Sequence, residues 1–259
     1  MDQLFQNTDG LRDILDTVQK LPEGSGGGDD VAGAIADRTV VEFSSSKATL
    51  IGNYAFRSCA KLTSVDAPNA KSVGQYAFQG CSSLASANLP LAESINQYAF
   101  NQCNKLMEIY LPAATSVVAN AFRDCQYVET IYLPKVASIP ATTFYGCRGL
   151  KALVLNSETL VPLADTSAFT TCYRILGTKN AGFNPNGEKI GFIYVHALII
   201  GDYLEATNWA SDSLVTQLRP IVKTAADLST IDGTAYDRAW VDAEHCVYIY
   251  DGSAWAKEV

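Results

Sequence analysis

Five phenylalanines, Phe56, Phe78, Phe100, Phe122 and Phe144, recur at a fixed spacing of 22 residues. Three positions after each stands a cysteine: Cys59, Cys81, Cys103, Cys125 and Cys147. Three further on comes Leu62, Leu84, Leu106, Val128 or Leu150, then Val65, Ala87, Ile109, Ile131 or Leu153 at the same interval. A phase kept without a gap over this many cycles marks a tandem repeat, in which each unit buries its apolar side against the next. It constrains the fold far more than the function, because a repeat is a scaffold and does not name its ligand.

One cycle, Leu106 to Tyr127, shows how a coil is built. Ile109 and Leu111 alternate with Glu108 and Tyr110, so a short strand turns the first pair inward and the second outward. Pro68, Pro90, Pro112 and Pro134 end such strands because proline cannot donate the next ladder hydrogen bond; Asn156 takes that place in the following coil. The phenylalanine ring supplies the bulk of each layer, and Ala55, Ala77, Ala99 and Ala121 beside it keep the chain close. Val40, Phe43, Ala48 and Ile51 lie one period before Leu62, Val65, Ala70 and Val73, so the first coil begins near Val40. Its strand end is polar, Ser44, Ser45 and Ser46, as a capping coil requires.

Of the 7 cysteines, five share one phase of the repeat, and Cys172 extends the row after a longer step. One thiol per coil stacks sulfur in the core, whereas a zinc site needs paired ligands such as Cys-x2-Cys, which do not occur. The expectation is buried, reduced thiols acting as small apolar groups, with no metal and no cofactor. Cys246 stands outside the row.

The pattern Ile-x-x-x-Ala-Phe-x-x-Cys-x-x-Leu-x-x-Ile-x-Leu-Pro, carried by Val117 to Phe122, Cys125, Val128, Ile131 and Leu133-Pro134, resembles the BspA-type leucine-rich repeat. The resemblance covers Val40 to Cys172. It implies a right-handed solenoid with a parallel sheet on one face and irregular turns on the other. That family includes surface adhesins of bacteria and protists, and proteins encoded by phages and prophages of gut bacteria. The fold expected is therefore a β-rich solenoid of 22-residue coils with an N-terminal helix and a small C-terminal β or α+β module.

The flanks divide further. Over residues 1–22, Leu4, Leu11 and Val18 fall in one heptad phase and Ile14 and Leu21 in the other, a short coiled-coil seam. Gly10 within it costs about 1 kcal/mol relative to alanine. A helix this short needs a partner. The partner is a copy of itself, in a homo-oligomer such as a trimer, or another virion protein; an amphipathic helix folded back on the solenoid is the alternative. Residues 23–38 form a glycine-rich linker and entry, 39–174 the solenoid, 175–223 a C-terminal cap and 224–259 a small β-hairpin module. In the cap, Ile193-Tyr194-Val195 reads as a strand and Asp202 to Trp209 as a helix over the open end. The segment is similar to those that close such arrays, although His196 stands where proline is usual. In the last module, Asp251-Gly252 between Tyr250 and Trp255 signals a hairpin. Short hairpin modules of this kind resemble pieces of phage virion proteins.

The formal charge of −8 is uneven. Residues 1–30 hold seven acids against Arg12 and Lys20, a net of −5, which leaves −3 for the rest. A nearly neutral body without a basic stripe argues against nucleic acid and anionic membrane as partners. No run approaches the roughly 20 apolar residues of a membrane span, and Met1-Asp2-Gln3 has no basic or apolar leader region, so neither secretion signal nor anchor is expected. Catalytic signatures are missing too: no Gly-x-Ser-x-Gly elbow, no His-Glu-x-x-His, no calcium loop. Gly182 to Lys189 imitates a phosphate loop but puts Glu188 where lysine belongs, and it reads as a turn. His196 and His245 are far apart, and the His245-Cys246 pair has no evident basic neighbour to lower the thiol pKa. The chain is read as not an enzyme; a catalytic alternative would place its site in the C-terminal third.

What varies between coils is the outward strand position: Ser64 and Asp66, Ser86 and Asn88, Glu108 and Tyr110, Thr130 and Tyr132, Ala152 and Val154. Stacked at about 4.8 Å these rows predict one continuous surface some ~20 Å long. Adjacent tyrosines on a ladder serve either cross-strand packing or binding. The candidate ligand-binding residues are Asp66, Asn88, Glu108, Tyr110, Thr130 and Tyr132, with Trp240 and Trp255 of the terminal module as the second choice. The leading reading is a non-enzymatic tail-associated virion component, a fibre or receptor-binding protein, that recognises a cell-surface protein or glycan. The alternative is a bacterial surface or secreted leucine-rich repeat adhesin.

Overall fold

The structure, a computed structural model, describes residues 38–258 apart from 189, 210–213, 215–216, 232, 234–235, 237 and 245. The seam formed by Leu4, Leu11, Ile14, Val18 and Leu21 lies outside the described residues, as does nearly all of the linker behind it.

Each of the first four coils contributes two short strands, and the next two contribute one each. In chain order they are β1 (Glu42–Ser44), β2 (Leu50–Ile51), β3 (Ser64–Asp66), β4 (Ser72–Val73), β5 (Ser86–Asn88), β6 (Ser94–Ile95), β7 (Glu108–Tyr110), β8 (Ser116–Val117), β9 (Thr130–Tyr132) and β10 (Ala152–Leu155). The first strands of successive coils pair in parallel as β1-β3-β5 and, after an interruption, as β7-β9-β10; the second strands pair as β2-β4-β6-β8. Register follows the repeat: Phe43 opposes Val65, which opposes Ala87, and Ile109 opposes Ile131, which opposes Leu153. An isolated parallel bridge between Ile139 and Leu163 carries the second row one coil further.

The third side of the coil is a turn that the sequence announces only in part. The residue before each Ala-Phe pair adopts a left-handed backbone: Tyr54, Tyr76, Tyr98, Asn120 and, before Thr143-Phe144, Thr142, with φ between 57° and 64°. The residue before each cysteine does the same at Ser58, Gly80, Gln102, Asp124, Gly146 and Thr171. This conformation costs roughly 1–2 kcal/mol for a non-glycine residue, and it is repaid between coils. Phe56, Phe78 and Phe100 donate their backbone N–H to the carbonyls of Ala77, Ala99 and Ala121 at 2.7–2.8 Å. The rings then stack, with centroids 5.4 Å apart for Phe56 and Phe78, 5.2 Å for Phe78 and Phe100 and 5.8 Å for Phe100 and Phe122.

The cysteines form the expected buried ladder, with a bonding pattern of their own. Cys81, Cys103, Cys125 and Cys147 each donate the thiol hydrogen to the carbonyl of the phenylalanine one coil back, at 3.0–3.2 Å. Cys172 reaches Phe144 in the same way across the longer coil. All six thiols of the row are buried and none is in a disulfide, while Cys246 is half-buried. Native protein is therefore expected to react at one thiol of its seven with an aromatic disulfide reagent, and at the other six only after denaturation. Rapid native labelling of a second thiol would show that the ladder opens.

Beyond Cys172 the chain leaves the repeat but not the sheet. A short helix α1 (Tyr173–Leu176) ends at Gly177 in the left-handed region, φ 67°, and a turn built on buried Asn184 follows. This Gly182–Glu188 stretch is the turn expected, with Asn184 bonding the Tyr173 and Glu188 carbonyls. Then β11 (Phe192–His196) pairs in parallel with β10, and α2 (Ile200–Glu205) comes next. The cap helix is thus shorter than expected and begins earlier, leaving Trp209 in the turn after it. Tyr203 and Trp209 are nonetheless fully buried, Trp209 packs 6.1 Å from Phe169, and both bond the backbone of Val161. Two more parallel strands, β12 (Leu218–Val222) and β13 (Arg238–Val241), extend the sheet, and antiparallel β14 (Cys246–Tyr250) and β15 (Trp255–Lys257) finish it. Asp251 accepts hydrogen bonds from Ser253 and Ala254 to close the β14–β15 hairpin, and Gly252 takes φ 99°. The result is a curved, mostly parallel solenoid sheet that ends in a small mixed strand-and-helix region.

Candidate functional site

The outward face of the sheet has two halves of different character. From β1 to β7 it is open and polar. Glu42, Ser44, Asp66, Ser86, Asn88 and Glu108 are exposed, and Tyr110 is 39% exposed. The row is held in place across coils: Ser44 donates to Asp66 at 3.2 Å, and Asn88 donates its amide to the other Asp66 oxygen at 2.7 Å. Asp66 is thus fixed by both neighbours, and the Ser44–Asp66–Asn88 part of the row is a pre-ordered surface.

From β9 onward the same face is buried. The outward side chains Tyr132, Ala152, Val154, Phe192, Tyr194, Ile221 and Trp240 form a second apolar cluster, separate from the solenoid core. Three strands lie between β9 and β13, which on a flat sheet would set them about 19 Å apart. The Tyr132 and Trp240 rings are nevertheless 6.3 Å apart. The sheet therefore curls through β10, β11 and β12 until its outward face closes on itself. Parallel strands buried on both faces carry apolar residues in both phases, and Ala152, Val154, Phe192 and Tyr194 do so.

This curl corrects the expectation of one long open surface. Tyr132, read as an exposed binding residue, is 5% exposed and donates its hydroxyl to Asp242 at 2.8 Å. Burial first, and then the Asp242 carboxylate, push that hydroxyl's pKa up. Trp240 is equally covered, wedged between Tyr132 and Tyr194. Trp255 lies on the opposite face: it packs with the cluster of Val222, Leu228, Ala239 and Val241 and sits 5.3 Å from Tyr250. The two tryptophans therefore do not form one surface. Thr130 is half-buried at the edge of the curl. Of the sequence-derived candidates, Asp66, Asn88, Glu108 and Tyr110 remain together on open surface, and Tyr110 stacks on Tyr132 at 4.9 Å where the two halves meet.

A second aromatic ladder was legible in the repeat and passed over. Tyr54, Tyr76 and Tyr98 stack at 5.2 and 4.9 Å on the turn side, with the Arg57 guanidinium 5.6 Å from the Tyr54 and Tyr76 rings. Gln75 and Gln97 bond each other alongside. The signal was tyrosine at the repeat spacing, immediately before Ala-Phe. The residues that line the curl, Lys151, Phe192 and Arg238, carry no periodic signal.

The thiols offer no chemistry. Desolvation pushes the Cys59 thiol up to about 11 and the Cys125 thiol up to about 12, so neither is a nucleophile at neutral pH. Cys246 does have a basic neighbour, Lys257, which bonds Glu244 at 3.2 Å, yet burial outweighs it and the thiol is raised as well. Among the described residues no group of three or more His, Cys, Asp or Glu is placed to hold a metal ion, and no helix is long and apolar enough to cross a membrane.

A parallel sheet with one phenylalanine and one thiol per coil inside, and varied polar positions outside, defines a leucine-rich repeat solenoid, a scaffold that presents a surface. Residues 49–176 match the BspA type leucine rich repeat region in 6 copies. Over this span, just under half of its length, the chain carries the repeats of the BspA-type leucine-rich repeat family. Solved structures with which it aligns include a leucine rich repeat protein of T. pallidum, at 26% identity and a TM-score of 0.42, covering 52% of this chain and 77% of that one. A leucine rich cell surface protein of Faecalibacterium prausnitzii A2-165 aligns at 27% identity and 0.43, covering 47% and 33%. A leucine-rich repeat protein of Bacteroides ovatus ATCC 8483 aligns at 25% identity and 0.49, covering 62% and 40%. The chain thus spans well under half of the latter two proteins. No curated protein matches it.

Proposed function

We propose that the protein is a non-enzymatic adhesin-type binding protein that recognises a cell-surface protein or glycan through the outward face of its sheet. The observation that carries this reading is the open polar row of Asp66, Asn88 and Glu108, in which cross-coil hydrogen bonds fix Asp66 and Asn88, and which ends in a half-exposed stacked tyrosine. Pre-ordered donors and acceptors lose little entropy on binding, and tyrosine contributes apolar area with one hydroxyl. Of the two settings the sequence leaves open, we favour a bacterial surface or secreted adhesin over a virion tail; the cell surface is the setting printed for the Faecalibacterium protein. In this reading the seam of Leu4, Leu11, Ile14, Val18 and Leu21 serves attachment or self-association.

The test is binding of the full chain to whole cells and to a glycan array. Tyr110→Ala is expected to weaken binding by about fivefold or more, the loss of one interface anchor. Its unfolding free energy from urea titration should stay within about 1 kcal/mol of wild type, because Tyr110 lies outside the core. Undiminished binding by a folded variant would remove this face as the contact.

A further inference from the structure

The curl of the sheet leaves a pocket of about 350 Å³ at its mouth, with Thr130, Lys151, Phe192, Arg238, Trp240 and Glu258 in its walls. That size suits a single sugar-sized ring. Three observations say what would fill it. The indole N–H of Trp240 is buried and has no acceptor among the described residues, an arrangement rare in folded proteins. The charged groups around the mouth are mainly basic: Lys151 and Arg174 share Glu129, and the Arg219 and Arg238 guanidinium groups lie 4.5 and 5.1 Å from the Phe192 ring centre. Residues 31–259 carry a net of −3, so a mainly basic mouth is a local departure. Finally, Arg238 bonds a carboxylate, that of Glu258, at 2.6 Å, and the Glu258 side chain is 41% exposed.

We propose that this pocket binds an acidic monosaccharide, the carboxylate-bearing terminal residue of a glycan. Its carboxylate takes the place of Glu258 on Arg238, its ring packs on the apolar wall, and its ring oxygens accept from Thr130 and from the Trp240 indole once the ring has entered. The Glu258 side chain is then an exchangeable occupant, an internal carboxylate that acidic ligand displaces. A planar guanidinium fork suits this exchange, since it accepts one carboxylate in the geometry of the other. The proposal deepens the glycan arm of the function above and rests on it, but it concerns a different set of residues.

The full chain is titrated with glucuronic acid, N-acetylneuraminic acid and, as the neutral control, glucose, while the indole N–H resonances and tryptophan fluorescence are followed. The acidic sugars are expected to shift the Trp240 indole resonance saturably and glucose is not. Two substitutions should act in opposite directions: Arg238→Gln weakens binding about tenfold or more, and Glu258→Gln tightens it by up to about fivefold by removing the competing carboxylate. Trp240→Phe removes the N–H and keeps the ring; if it unfolds the region, the Arg238 and Glu258 pair still decides the matter. An equal response to acidic and neutral sugars, no response to either, or weakening by Glu258→Gln would each overturn the proposal. If the pocket fails while cells are still bound in a Tyr110-dependent way, the recognition reading stands without it. If the pocket binds acidic sugar while Tyr110→Ala leaves cell binding intact, the sheet face is the part that falls.

Discussion

Phe100→Ala is expected to lower the free energy of unfolding by about 3–5 kcal/mol, a large part of the stability of an ordinary domain. Phe100 is 1% exposed and stacks on Phe78 and Phe122 at once. Truncation therefore opens a cavity in the middle of a one-dimensional core and weakens two coil interfaces together. Repeat proteins derive their stability from such nearest-neighbour terms, so the break is felt on both sides. At the end of the array the same change should cost clearly less: Phe43, at the strand position paired with Val65, packs at a 59° tilt on Phe56 with centroids 4.8 Å apart and has no earlier coil beneath it among the described residues. Urea unfolding of the two variants against wild type makes the comparison. Equal losses at Phe43 and Phe100 would mean that the described solenoid does not melt as a stack of coupled layers.

The second large effect is alkaline. An unfolded cysteine ionises near 9.0, whereas burial raises Cys59 to about 11, Cys125 to about 12, and Cys81, Cys103, Cys147 and Cys172 well above the ordinary value. A thiol whose folded pKa is raised contributes stability that is complete below pH 9 and lost as pH climbs through the window up to the folded value. The unfolded chain releases its protons first and is favoured accordingly. Each thiol contributes up to about 1.4 kcal/mol per pH unit, so the six together approach roughly 8 kcal/mol per pH unit once their unfolded counterparts are ionised. Urea midpoints at pH 7, 8, 9 and 10 should therefore be flat at first and then fall steeply. Cys103→Ala should reduce the slope by one proton's share, about 1.4 kcal/mol per pH unit. A midpoint that does not move between pH 8 and pH 10 would show that the thiols titrate freely in the folded protein.

The strand pattern was legible because its cause is local and repeated. Ile109 faces the core and Glu108 the solvent for the same reason that Ile131 and Thr130 do: a pleated strand alternates its side chains, and each coil copies the last. The left-handed turn residues were illegible for the opposite reason. Tyr76 has no intrinsic preference that predicts φ near 60°, and only Gly80, Gly146, Asn120 and Asp124 hint at it; the conformation is stabilised by hydrogen bonds to the next coil. The cap helix shows a third case. Asp202 to Trp209 looked helical as a block, but the chain turns at Ala206 so that Tyr203 and Trp209 can both reach Val161, a tertiary demand that outweighs helix propensity.

The amino-acid sequence by itself determined the repeat axis, the contents of each layer and the rows that point outward, since all three follow from a period measured along the chain. Only the tertiary structure decided which part of those rows is open. Tyr132 and Asp242 are 110 residues apart and hydrogen-bonded because the sheet curls, and that contact covers half of the face the period made look continuous. Curvature accumulates from the twist of non-repeating strands and from where their apolar outward residues can be buried, and neither is a property of any one coil. The open polar row, the buried aromatic cluster and the basic pocket between them are thus products of where a regular array meets an irregular end.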